Sequence, residues 1–138
     1  MAARNDPSSL ANPAAAGASA QTAEPVLDRA AMLETVEQDL ALLRELVEIF
    51  LAETPGLLAQ IRSGVEQKNA ESVERGAHTL KGALMNFGAR RACEVARQLE
   101  GRGREARLDD AAQLASQLES EVIQACHALS DYLQEVLP

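Results

Sequence analysis

The sequence predicts an all-α fold, an antiparallel four-helix bundle with an additional short N-terminal helix, and three observations carry that expectation. Tryptophan is absent and only Phe50, Phe87 and Tyr132 are aromatic, so the apolar content is mostly Ala, Leu and Val, which suit helix–helix packing better than sheets. Large apolar residues recur at helical spacing, and no segment reads as a strand. Short breaks bearing capping residues separate these segments, and amphipathic helices so joined bury their stripes against one another.

Residues 1–25 are rich in Ala, Ser, Pro, Asn and Gly and lack spaced large apolar residues. Such a stretch buries too little to offset chain entropy and is expected to be a disordered tail or linker, with the bundle at 26–138. A chain of 138 residues suits one domain plus a tail. Asp28 is a candidate N-cap for a short first helix through Ala30, Ala31, Met32 and Leu33. Leu40, Leu43, Val47, Phe50, Leu51, Leu57, Leu58, Ile61 and Val65 then predict a long helix from about Glu37 to about Gln67. Pro55 should kink or break it, having no N–H to donate.

Asn69 can cap a third helix running to about Phe87, with Gly88 standing just past its end. A fourth, from about Arg90 to Glu100, carries Ala92, Val95, Ala96 and Leu99, and the run Gly101-Arg102-Gly103-Arg104 should end it, because paired glycines weaken a helix. The last helix starts near Asp109 and presents Leu114, Leu118, Val122, Ala125, Leu129, Tyr132 and Val136 on one stripe.

The third helix has an unusual second face. At 100° per residue, Val73, Ala77, Leu80, Leu84 and Phe87 fall within an arc of roughly 80°, which must face the core. His78 then lies about 140° from the centre of that stripe, Gly82 about 180° and Met85 about 120°. His78 should therefore face water, with Lys81 one turn on and able to reach whatever the ring carries. Glycine inside a helix costs roughly 0.5–1 kcal/mol relative to alanine, so Gly82 invites another explanation: it removes bulk beside the ring and lets a large partner approach. An ordinary imidazole titrates near about 6.5, leaving a ring nitrogen with a free lone pair at neutral pH. Histidine, lysine and glycine so placed suit nucleophilic phosphoryl transfer, and a carboxylate on the neighbouring helix could fix the tautomer.

Composition excludes other classes. A formal net charge of −8 leaves no basic surplus for nucleic acid or an anionic membrane. Cys93 and Cys126 show no CxxC or zinc-ligand spacing and read as small buried thiols in a reducing cytosol. No apolar run approaches the roughly 20 residues of a membrane span, and residues 1–20 lack the hydrophobic centre of a signal peptide, so a cytoplasmic protein is expected.

The run Ala77-His78-Thr79-Leu80-Lys81-Gly82, followed by Asn86-Phe87-Gly88-Ala89 and then Leu99-Glu100, resembles the histidine phosphotransfer (HPt) domains of multistep phosphorelays, and the likeness extends from about Asp28 to the end. The resemblance implies a four-helix bundle whose His78 accepts a phosphoryl group from the aspartyl phosphate of one receiver domain and passes it to the aspartate of another. It implies a carrier and not an enzyme, without a cofactor of its own; Mg²⁺ is expected on the response-regulator receiver. Lys81 would stabilise charge, Gly82 would give access, and Glu100 would orient the ring, while Met85, Arg75 and Arg104 would meet the partner, a receiver or a hybrid histidine kinase. A monomer is expected. Two positions depart from the family: Gln38-Asp39 stands where Gly-Asp is common, so the conformation before the second helix should differ, and Met85 replaces a small residue.

Plainer readings stand beside these. A lone exposed histidine means little, and His127 is one without Lys and Gly neighbours. Glu100 can also pair on the surface with Arg97 or Arg104, which would contribute little. The alternatives in function are the phosphoacceptor domain of a chemotaxis-type histidine kinase, for which the chain lacks a glycine-rich nucleotide loop, and a helical adaptor that accepts no phosphoryl group. Met1 followed by a low-complexity stretch favours a free-standing protein over one end of a hybrid kinase.

Overall fold

The structure, a computed structural model, describes residues 25–137. The expected tail, apart from Pro25, lies outside the described residues. Those residues form α1 (Arg29–Thr35), α2 (Leu40–Glu66), α3 (Ala70–Met85), α4 (Arg90–Arg104) and α5 (Ala111–Val136), with no strand among them. Helices α2 to α5 close a ring of neighbours, α2 on α3, α3 on α4, α4 on α5 and α5 on α2. This is the expected four-helix bundle, with α1 as the extra short helix.

The stripes read from the sequence form one core. Val73, Ala77, Leu80 and Leu84 are fully buried, with Phe87 nearly so, and they meet Leu43, Val47, Ile61, Leu99, Leu118, Val122 and Leu129. Each buried Leu or Val contributes about 1.5–3 kcal/mol relative to an exposed one. Phe50 and Phe87 pack edge to face with centroids 5.1 Å apart.

Side-chain caps fix the starts of α1, α2 and α3. Asp28, Asp39 and Asn69 accept hydrogen bonds from the backbone N–H of Ala31, Leu42 and Ser72, satisfying donors that the first turn leaves free. Helices α1, α2 and α4 end in the paired-bond motif in which the chain turns left-handed, at Glu37, Lys68 and Ala106, with φ of 53°, 58° and 56°. Gln38 follows with φ 67°, so a glutamine here holds the backbone region that favours glycine. Past α3 the same role falls to Gly88, at φ 64°, where a side chain is impossible: a Cβ would lie 2.6 Å from Asp28 Cβ and 2.9 Å from its carbonyl oxygen. The Asp28 N–H donates to the Gly88 carbonyl (3.0 Å) and its carboxylate pairs with Arg90 (2.8 Å), which ties α1 to the α3–α4 corner.

Two expectations need correction. Of the kink or break expected at Pro55, the break is absent: helix α2 continues through it; Pro55 is exposed, and the preceding Thr54 hydroxyl donates to the Phe50 carbonyl (2.6 Å). Helix α4 does not stop at Glu100 but continues through the two glycines to Arg104. Tertiary packing decides this: Gly103 is buried against α3, where a Cβ would come within 2.6 Å of the Glu74 nitrogen and 2.7 Å of the Ala70 carbonyl oxygen. The glycine permits a close crossing of α3 and α4. Arg102 then braces the turn by a two-bond pair with Asp110 (2.8 and 3.0 Å).

Candidate phosphoacceptor site

The close crossing sets the site. Gly103 lies against Glu74; one turn back on α4 is Glu100 and one turn forward on α3 is His78, so the two side chains face each other across the seam. Glu100 is buried, with a side chain only 7% exposed, whereas the His78 side chain is 67% exposed. His78 Nδ1 and Glu100 Oε2 lie 2.7 Å apart. A carboxylate only accepts, so the ring nitrogen that faces it is the one that carries the proton. Nε2 then keeps its lone pair, and it has no partner among the described residues.

The other Glu100 oxygen, Oε1, accepts from Lys81 Nζ at 2.6 Å. Sequence reasoning set Lys81 near the group that the ring would carry; its ammonium is found on the carboxylate at the Nδ1 edge. Arg104 Nη2 is 3.1 Å from Glu100 Oε2, and Arg104 Nε is 3.6 Å from Glu74 Oε2. Arg97 pairs instead with Glu94 on its own helix (2.6 Å), and this pair holds the Glu94 carboxyl down at about 2. The Lys81 ammonium first, and the His78 ring after it, hold the Glu100 carboxyl below its ordinary range against the burial that would raise it. Glu100 is therefore a buried anion with donors on both oxygens.

Around the ring the surface is open. A Cβ on Gly82 would meet no heavy atom within 4 Å, so that glycine serves no helix crossing. His78, Thr79, Arg75, Glu71, Glu74 and Glu100 line a cleft of about 480 Å³. Arg75 pairs with Glu71 (2.8 Å), both side chains about 70% exposed. Beside the cleft, Met85, 64% exposed, joins Lys81, Cys93, Arg90 and Arg97 along a groove of about 550 Å³. Cys93 and Cys126, expected as small buried thiols, are free and half-buried, and burial pushes both thiols up. His127 is exposed on α5 and lines a separate groove between α2 and α5 with Leu58, Arg62 and Ile123.

Sequence reasoning missed Gly103, which brings α4 close enough for Glu100 to reach the ring. The signal was present: Ala92, Ala96 and Leu99 are followed by Gly103 on the same stripe. Among the described residues no helix is long and apolar enough to cross a membrane.

Comparison with known proteins agrees with the helical-bundle fold. The Hpt domain family model matches residues 45–136. No curated protein matches. Among solved structures, the chain is similar to histidine-containing phosphotransfer protein B of Pseudomonas aeruginosa PAO1, at 22% identity and a TM-score of 0.75, over 82% of this chain and 98% of that one. It is also similar to the HPT domain of a sensor hybrid histidine kinase from Shewanella, at 18% identity and a TM-score of 0.72, over 82% and 97% of the two chains. With the family match covering α3, α4, α5 and most of α2, and with an exposed histidine on α3, the chain belongs to the Hpt domain family, the histidine phosphotransfer modules of phosphorelays.

Proposed function

We propose that this chain relays a phosphoryl group between receiver-domain aspartates through phospho-His78. The observation that supports it most is the His78–Glu100 contact of 2.7 Å beneath an otherwise open ring. With the proton on Nδ1, the Nε2 lone pair attacks phosphorus, the N–P bond forms, and the acyl-phosphate P–O bond breaks with its electron pair left on the receiver's aspartate. No proton has to leave. The ring gains positive charge, and the Glu100 anion at Nδ1 offsets it. The reverse step returns the group to a second aspartate by the same path.

Lys81 keeps Glu100 ionised and fixed, Gly82 leaves room for the receiver's active site, and Met85 and Arg104 flank the docking face. The chain contributes no cofactor; Mg²⁺ and the acidic cluster that binds it come with the receiver. The reading puts the protein in the cytoplasm as a monomeric carrier between receivers, one of which can belong to a hybrid histidine kinase.

The test is transfer from a panel of purified, phosphorylated receiver domains. At least one should deliver an acid-labile, alkali-stable label to the wild-type chain and none to His78→Gln. A label of equal strength on His78→Gln would refute the assignment.

A further inference from the structure

Two of the three cations around His78 are fastened to one edge of its ring. Lys81 and Arg104 both reach Glu100, at 2.6 and 3.1 Å, and Glu100 meets the ring at Nδ1. Neither therefore faces the nitrogen that would carry the phosphoryl group. Arg75 differs. It stands one turn before His78 on α3 and lines the same cleft. Helical side chains lean toward the N-terminus, over the turn before their own Cα, so the His78 ring is directed over the turn that holds Arg75. Its partner Glu71 is an exposed carboxylate on the same helix, and such solvent-screened pairs contribute little. A guanidinium fork also fits phosphoryl oxygens in a two-point contact that an ammonium does not make.

We propose that Arg75 is the phosphoryl-binding cation of this site: its guanidinium leaves Glu71 for the oxygens of the phosphoryl group on His78 Nε2. This rests on the phosphoacceptor reading above. It divides the charges of the product between two edges of the ring, with the Nδ1 proton held by Glu100 and the phosphoryl oxygens held by Arg75.

Phosphoramidate, a small donor, tests this on the full chain without any partner. The Nε2 lone pair attacks phosphorus, the N–P bond to the ring forms, the P–N bond to the donor breaks, and ammonia leaves with its electron pair. Loss of one charge-assisted contact should slow charging on the order of tenfold in Arg75→Ala, with Arg75→Lys partly restored and melting unchanged. Glu71→Ala, which frees the guanidinium, should charge at least as fast as wild type. Wild-type rates in Arg75→Ala would overturn the inference, and so would equal slowing in Glu71→Ala, which would mark the pair as a helix brace. Failure of the wild-type chain to label, or equal labelling of His78→Gln, would instead overturn the phosphoacceptor reading itself.

Discussion

Glu100 Oε2 sits 2.7 Å from His78 Nδ1 while the rest of the imidazole stands in solvent. A buried acid, which as a carboxylate can only accept, thus meets Nδ1 of an exposed base. Removing it should leave the ring present but unoriented, and loss of such a supporting contact commonly lowers activity about 10–100-fold. Glu100→Ala is therefore expected to slow transfer by that factor. In ¹⁵N NMR of the unphosphorylated protein its His78 ring should shift from the Nδ1–H form toward a mixture of tautomers. An unchanged tautomer would show that Glu100 does not set it.

The same carboxylate gives a pH dependence of known sign. A carboxyl depressed in the folded state contributes stability that is fully present above its unfolded value, about 4.3, and is lost as pH falls through the folded value. Lys81 and His78 depress Glu100, so its contribution is intact at neutral pH and disappears in acid. Urea unfolding between pH 5 and 3 should show a steeper loss for wild type than for Glu100→Gln. Parallel losses would contradict this.

Two glycines should respond oppositely to alanine. Gly82 has open space around it, so Gly82→Ala should raise stability by roughly 0.5–1 kcal/mol, and the bulkier Gly82→Gln should fold well yet transfer slowly. A Cβ on Gly103 would lie only 2.6 Å from the α3 backbone. Overpacking there should cost about 1–3 kcal/mol and, by pushing α4 away, weaken the Glu100–His78 contact. Thermal melts with transfer assays on both variants check the pair.

Left-handed positions held by other residues offer a gain. Ala106 sits at φ 56° past α4, a conformation that disfavours a Cβ by roughly 1–2 kcal/mol. Ala106→Gly should raise the melting temperature, less the entropy that glycine adds to the unfolded chain. Gln38→Gly, at φ 67°, should act the same way. No gain at either position would show that the neighbouring chain already relieves the strain.

Much of this was legible in the residues themselves. Periodicity predicts the α3 stripe because burial repeats every 3.6 residues, and all five stripe positions are buried. The exposed face of His78, Gly82 and Met85 follows from the same geometry. What depends on a neighbouring helix was not legible. Local propensity ends α4 at its glycines, yet packing on α3 extends it through Gly103. Lys81 is near His78 by spacing alone, but only the position of Glu100 on α4 decides where its ammonium goes. The left-handed turns at Glu37, Lys68 and Ala106 carry no glycine to mark them.

The most direct measurement is ³¹P and ¹⁵N NMR of the phosphorylated chain. The expected result is one phosphoryl group, on Nε2 of His78, with the proton retained on Nδ1 and no signal from His127. A phosphoryl group on Nδ1 of His78, or on His127, would contradict the account.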